Sequence, residues 1–468
     1  ERKMPKRYFG TDGIRGEFGV EPLTNEFFII LGLAIGRSLL ASNNCKKKVI
    51  FGCDTRESCS KIIDQISIGL QEEGCEIHNT SVVPTPAIAF YTKKENYDLG
   101  IMVSASHNLY KDNGIKIFNK DGFKISKDDE NHIEDYIENI KGKNIKLDFL
   151  SSINEVKNID ISNEYIDFCL KTIKSNNTKM HLTLDLANGS NYNIAPKVFK
   201  KAGYDISVIN DKPNGKNIND KCGSTYLNDL PSIIKGNGSK FAISMDGDGD
   251  RLLVVNEDGK VLDGDDILYT IIKGKNILNE NIKGVVGTTM TNYAFEKFLK
   301  EEGIDFIRAN VGDKNVMEKM LKNNYVLGGE ASGHILMLDN SSSGDSIIAA
   351  LQFLYYSDIL NKKSINSFLK KYPQKITNLL IDKYLPENII NIAIKEASDK
   401  FSNNDLRLII RKSGTENCIR IMVEAKEAEL VNSASKEIKY FIKDKLTALL
   451  LWKKLLLPIG KIMEVKNS

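Results

Sequence analysis

Two short segments hold most of the chemistry legible in the chain. Ser104-Ala105-Ser106-His107-Asn108 sets hydroxyls beside an imidazole, and Asp246-Gly247-Asp248-Gly249-Asp250-Arg251 sets three carboxylates at i, i+2 and i+4. A serine can carry a phosphoryl group, and clustered carboxylates can hold the divalent cation that neutralises it. As a carrier Ser106 needs exposure and nearby donors, which His107, Asn108 and Lys116 can supply. Spacing alone does not choose between Ser104 and Ser106, and either also suits a cap or a turn. Three aspartates this close repel one another unless a cation lies between them, so a metal is expected, magnesium first. A calcium loop starting at Asp246 fails at its sixth position, where glycine is required and Arg251 stands.

Other loops carry weaker signals of the same kind. Gly10-Thr11-Asp12-Gly13-Ile14-Arg15-Gly16 and Arg411-Lys412-Ser413-Gly414-Thr415-Glu416 combine glycine, hydroxyl and guanidinium. That is the donor set a phosphate dianion requires. Gly328-Gly329-Glu330-Ala331-Ser332-Gly333-His334 offers an acid, a hydroxyl and an imidazole, which suits vicinal sugar hydroxyls.

The elements that must position these loops follow an α/β grammar. Lys48-Val49-Ile50-Phe51-Gly52 reads as a buried strand, followed by a helix with Ile62, Ile63, Ile66 and Leu70 inward. Leu99-Gly100-Ile101-Met102-Val103 runs straight into the serine segment. The pattern recurs from His181 to Asp185, from Phe241 to Met245 and from Lys283 to Thr288, with a helix at Tyr293–Leu299. Ligands collect beyond the carboxyl ends of such strands. After about residue 368, Leu406–Arg411 and Ile419–Val423 read as strand, loop, strand in a small α+β domain. The Asn/Lys-rich stretches 139–147, 172–179 and 212–221 read as solvated connectors.

A length of 468 residues calls for three or four domains. A net charge of +3 gives no reason to expect nucleic acid. Seven scattered cysteines without a CxxC pair fit reduced thiols in a cytoplasmic protein. No apolar signal core follows the basic start, and the opening Glu1 reads as an incomplete or processed N-terminus. The leucine-rich run 446–457 is broken by Lys453 and Lys454 and is too short to span a bilayer.

Taken together and in order, these motifs resemble the α-D-phosphohexomutase family from Tyr8 to about residue 445. The opening Tyr8–Gly16 and Asn217-Ile218-Asn219-Asp220-Lys221-Cys222-Gly223-Ser224 are similar to the branch acting on glucosamine phosphate. The resemblance implies three related α/β domains and a smaller C-terminal α+β domain around a central cleft. The expected boundaries are 1–155, 156–258, 259–368 and 369–445, with 446–468 as an untypical extension. It makes Ser106 the phosphoryl carrier and gives Ser106, Asp246, Asp248 and Asp250 one Mg²⁺ per chain. Arg15, Lys116, His107 and His334 are the expected catalytic groups. Glu330 and Ser332 would contact the sugar, while Arg411, Ser413, Gly414, Thr415 and Arg420 would hold the phosphate that is not transferred.

The implied reaction interconverts glucosamine 6-phosphate and glucosamine 1-phosphate, feeding amino-sugar nucleotide and cell-wall precursor synthesis. A glucosamine 1,6-bisphosphate would be the intermediate and activator. A phosphomannomutase/phosphoglucomutase activity is the near alternative, and a non-catalytic sugar-phosphate-binding relative the more distant one. The expected partner is a small sugar phosphate, with no nucleic acid, no membrane and room for a homodimer. Leu109, Lys412 and Asn417 stand where the family usually has proline, so looser loops are expected there.

Overall fold

The computed structural model of the chain describes residues 8–39, 47–142, 155–173, 180–382, 384–403, 405–413 and 417–463, with side chains to residue 451. Contacts divide the chain into two compact units, Glu1–Thr291 with Ile304–Phe368, and Asn292–Gly303 with Leu369–Ser468.

The first unit is built on three sheets. The first contains β1 (Phe9–Gly10), β2 (Gly13–Glu17), β3 (Lys48–Cys53), β4 (Glu76–Val82), β5 (Leu99–Val103), β6 (Asp112–Asn119) and β7 (Lys157–Asn158). Their order is β1-β2-β6-β5-β3-β4-β7, with β3 parallel to β4 and β5 and β6 antiparallel to β5. Val49, Ile50 and Phe51 are fully buried, as a strand covered on both faces requires. The helices Asn25–Leu39 and Cys59–Glu72 supply Phe27, Phe28 and Leu31, and Ile62, Ile63, Ile66 and Leu70, to the same core. Each such side chain contributes roughly 1.5–3 kcal/mol on leaving water.

The second sheet holds β8 (His181–Asp185), β9 (Asp205–Ile209), β10 (Phe241–Met245), β11 (Leu252–Asn256) and β12 (Val261–Leu262), in the order β12-β11-β10-β8-β9. The third holds β13 (Gly284–Thr288), β14 (Asp305–Ala309), β15 (Leu327–Gly329) and β16 (Ile335–Met337), in the order β14-β13-β15-β16. One connection recurs in all three sheets. A strand in parallel pairing ends, a short loop turns, and an antiparallel neighbour leads back: β5 to β6, β10 to β11, and β15 to β16. The serine segment, the triple-aspartate segment and Glu330–His334 occupy these three loops.

The second unit has an antiparallel sheet of β17 (Gln374–Leu380), β18 (Leu406–Lys412) and β19 (Cys418–Ala425), ordered β17-β19-β18. The helices Glu387–Phe401 and Ala428–Met463 close its core around Ile389, Ile390, Ile419, Ile421, Ile438 and Ile442. The last helix runs on through the joint expected at residue 445. Neither glycine nor proline occurs between Ala428 and Leu457 to stop it, and Leu446 is buried in the core. No helix among the described residues is long and apolar enough to cross a membrane.

Two of the expected connectors depart in part from the reading of their composition, and residues 143–147 of the first lie outside the described residues. Residues 139–142 belong to the helix Lys127–Gly142, whose Ile133, Ile137 and Ile140 follow a helical period and are buried. Within 212–221, Ile218 and Asn219 are buried. Of the third connector, residues 174–179 lie outside the described residues.

Candidate active site

The β5–β6 and β10–β11 loops meet at Ser106 and Asp246. Ser106 Oγ donates a 2.6 Å hydrogen bond to Asp246 Oδ2. Ser104 takes a different part: its hydroxyl donates to Asp54 Oδ2 and accepts from Ser106 N–H at 2.9 Å. It therefore shapes the loop from beneath, which distinguishes the two serines that spacing could not separate. Ser106 has a left-handed backbone at φ +52°, a conformation that surrounding contacts must enforce in a serine. The expected exposure of Ser106 is not observed. It is fully buried, because its main chain is packed against Gly247 and Asn219, whereas the neighbouring His107 and Asn108 are half-buried.

The aspartate loop is held from both sides. Thr85 N–H donates to Asp248 O at 2.8 Å and Thr85 Oγ1 to Asp248 Oδ2 at 2.5 Å. Ser346 donates to Gly249 O through N–H at 3.0 Å and Oγ at 2.7 Å. Asp246, Asp248 and Asp250 are buried and present ligand atoms within 4.8 Å of one another. Asp248 Oδ1 and Asp250 Oδ1 are buried without a hydrogen bond, which fits a site for a hard divalent cation.

Charge compensation comes from within the chain as well. Lys116, fully buried on β6, places Nζ 2.6 Å from Asp248 Oδ2 and 3.0 Å from Asp250 Oδ2. Burial alone would lower the Lys116 pKa, but Asp12, Asp248 and Asp250 together hold it well above the usual value. Burial raises Asp250, yet Lys116, His334 and Arg251 outweigh that and keep it below the carboxylate range. Asp246 has no such ammonium, so burial and the charges of Asp250 and Asp248 lift it well above that range. Arg15 pairs with Asp12, which also receives Lys124 Nζ at 2.5 Å. Burial raises Asp12, but Lys116, Lys124 and Arg15 bring it well below the usual value.

The β15–β16 loop contributes the third part. Glu330 is buried and accepts from Gly312 N–H at 2.9 Å, whereas Ser332 is exposed. His334 lies with Nδ1 3.8 Å from Asp250 Oδ2 and Nε2 3.6 Å from Asp313 Oδ2, which sets this loop beside the aspartates. His107 Nδ1 is buried without a hydrogen bond. Burial, then Arg251 and Arg15, push its pKa below the usual imidazole value.

The expected phosphate clamp lies in the second unit. Arg411 on β18 faces Arg420 on β19 in register, and Ser413 N–H donates to Cys418 O at 2.9 Å. Arg411 is exposed, Arg420 half-buried and Ser413 buried. Gly414 and Thr415 lie outside the described residues.

Composition did not point to three supporting residues. Asp54 and Arg56, at the exit of β3, form a fully buried ion pair. Arg56 Nη2 reaches Asn108 O at 2.6 Å, so the pair braces the serine loop. Asn219 donates to the same loop from the segment read as a connector. The available signal was position: Asp54–Arg56 follows a strand adjacent to β5, where loops converge.

Family models for phosphoglucomutase/phosphomannomutase match in order. Alpha/beta/alpha domain I matches residues 6–144, domain II 163–259, domain III 263–376 and the C-terminal domain 372–439. A phosphoglucosamine mutase of Neisseria meningitidis is 39% identical over 441 residues, 93% of this chain and 98% of the relative. One from Fusobacterium nucleatum is 40% identical over 455 residues, 94% of this chain and 99% of the relative. The chain belongs to the phosphohexomutase family, in its bacterial phosphoglucosamine mutase branch. As a phosphohexomutase it is an isomerase that moves a phosphoryl group on a sugar phosphate.

Solved structures carry the same phosphohexomutase fold. A phosphoglucomutase/phosphomannomutase family protein of Burkholderia thailandensis has a TM-score of 0.76 at 20% identity, covering 94% of this chain and 98% of that one. N-acetylphosphoglucosamine mutase of Aspergillus fumigatus, solved with GlcNAc-6P and magnesium, has a TM-score of 0.59 at 17% identity, covering 94% and 96%.

Proposed function

We propose that the chain interconverts glucosamine 6-phosphate and glucosamine 1-phosphate, with Ser106 as the phosphoryl carrier. The observation that carries this reading is the Ser106 hydroxyl on Asp246, beside two further buried carboxylates. Phosphorylated Ser106 gives its phosphoryl group to the free O1 or O6 of the sugar. The new bond is sugar oxygen to phosphorus, the bond that breaks is serine Oγ to phosphorus, and the proton lost by the sugar hydroxyl is balanced by one gained at serine Oγ. The resulting 1,6-bisphosphate turns over and returns the other phosphate to Ser106.

Asp246, Asp248, Asp250 and Ser106 would hold one Mg²⁺, whose charge offsets that of the transferring group. Lys116 and Arg15 add positive charge around it, so the work of the site is positioning and electrostatics. The depressed pKa of His107 leaves its ring neutral near pH 7, able to accept the proton of the attacking hydroxyl. His334, with Asp250 and Asp313 on either side, would stand beside the transferring group. Glu330 and Ser332 would take the sugar hydroxyls; Arg411, Ser413, Gly414, Thr415 and Arg420 would take the second phosphate.

The domains are proposed at 1–155, 156–258, 259–368 and 369–445, with 446–468 as an untypical extension. The cytoplasm is the proposed location. A coupled assay comparing glucosamine, glucose and mannose phosphates tests the substrate. Faster turnover of the neutral sugars would replace this reading with a phosphomannomutase/phosphoglucomutase. Intact-mass measurement tests the carrier, with one phosphate expected on purified protein and lost in Ser106→Ala.

A further inference from the structure

Asn219 lies in a segment rich in asparagine and lysine, yet it is only 5% exposed. Its N–H donates to Ala187 O at 2.9 Å, which anchors the segment just beyond β8. From a left-handed backbone at φ +57°, its side-chain Nδ2 donates to Ser106 O at 2.8 Å and to Asn108 O at 2.9 Å. One amide group thus serves the two carbonyls that bracket His107. Arg56 Nη2 holds Asn108 O as well, at 2.6 Å.

The aspartate loop closes over the same amide. A Cβ added at Gly247 would fall 2.5 Å from Ser106 O and 2.6 Å from Asn219 Nδ2, so only glycine permits the three segments to meet. Fixing the carbonyl of Ser106 fixes the peptide plane that follows it. The left-handed turn at Ser106 is unfavourable for a serine and persists only where contacts over-determine it. Asn219 supplies the contact on one side of that turn, and Ser104 Oγ, accepting Ser106 N–H, supplies the other.

We propose that Asn219 is a positioning residue for phosphoryl transfer, holding the main chain of Ser106 in the turn from which its Oγ faces Asp246. The inference rests on the reading of Ser106 as the carrier. Asn219 acts through the carbonyls and touches no reacting atom. Its loss displaces the serine, so it lowers the rate of transfer and leaves sugar binding to other residues.

The test uses the full chain with Mg²⁺ and glucosamine 6-phosphate, comparing wild type, Asn219→Ala and the exposed neighbour Asp220→Ala. Asn219→Ala is expected to lower kcat about 100-fold, the scale of an ångström-sized displacement, with KM within about threefold of wild type. Asp220→Ala should match wild type. The thermal midpoint and folded fraction are measured on the same samples. A purely structural role would lower the midpoint and leave kcat per folded molecule near wild type, and that result overturns the proposal. If Asn219→Ala does not fold, Asn219→Ser keeps a neutral polar side chain too short to serve both carbonyls, and the same kcat-against-KM comparison decides. Phosphopeptide mapping of wild type separates the two levels. Phosphate away from Ser106 defeats the carrier reading itself; phosphate on Ser106 with normal turnover in Asn219→Ala defeats only the positioning role.

Discussion

Ser106 Oγ and Asp246 Oδ2 are joined by a 2.6 Å hydrogen bond across 140 positions of sequence. Each stands just past the carboxyl end of a strand, Ser106 beyond β5 and Asp246 directly after β10, in different sheets of the same unit. The contact exists because both loops lead from a parallel-paired strand into an antiparallel neighbour. It gives the two serines different tests. Ser106→Ala should abolish turnover and the phosphate seen by intact mass. Ser104→Ala should keep phosphate on Ser106 and measurable turnover, while losing roughly 1–3 kcal/mol of stability as its partners lose their hydrogen bonds. Phosphate mapping to Ser104 would reverse this assignment.

Turnover should require a divalent cation. Asp248→Asn removes one carboxylate charge and should raise the half-saturating Mg²⁺ concentration by at least about tenfold, the scale seen even for outer partners of metal ligands. A titration of activity against free Mg²⁺ measures this. Undiminished activity in excess chelator would contradict it.

The buried pair of Asp54 and Arg56 makes a prediction about stability. Asp54→Asn leaves the guanidinium buried without its counter-charge, which typically costs 3–5 kcal/mol, roughly. The serine loop should loosen with it, since Arg56 also holds Asn108 O. Urea unfolding of wild type and variant, followed by circular dichroism, gives the comparison. Equal midpoints would show that the pair braces nothing.

Asp345 provides a pH-dependent test. Burial lifts its carboxyl from the ordinary 3.8 to about 6, partly offset by hydrogen bonds from Tyr165 and from the Ile348 and Ile347 backbone. The folded chain therefore holds this proton more tightly than the unfolded chain. The associated stability is complete below the ordinary value and is lost as pH rises through about 6. A shift of some two units corresponds to roughly 3 kcal/mol. Asp345→Asn keeps an acceptor for Ile348 N–H and has no proton to lose. Melting curves from pH 4 to pH 8 should show wild type falling relative to the variant across that window. A constant difference between them would refute the assignment.

Much of the site was legible because its chemistry is local in sequence. Three carboxylates two residues apart, and a serine next to histidine at a strand exit, announce themselves in six or fewer residues. The strands around them were legible for the same reason, since runs such as Val49–Cys53 and Phe241–Met245 are mostly apolar. What composition concealed was partnership at long range. Lys116 was legible as a donor near the serine loop, but its pairing with Asp248 and Asp250 emerges only when β6 pairs with β5. Asn219 sits among polar residues that usually face water, and only the exit of β8 brings its amide to the serine loop. The joint expected at residue 445 rests on unfamiliar sequence, and neither glycine nor proline lies near that position to break the helix.

Gly247 has one more consequence. Its backbone lies against the Ser106 carbonyl, and Gly189 presses on Gly247 in turn, with an added Cβ there only 2.4 Å from Gly247 O. The reach from hydroxyl to carboxylate is therefore a dimension of the main chain, like the gap between two bolted plates. Side chains that do not hold the serine loop, unlike Asn219 and Ser104, can be replaced without resetting that gap. A designer who wants a different sugar can work on the proposed sugar contacts after β15 and leave the gauge of the proposed transfer step as it is.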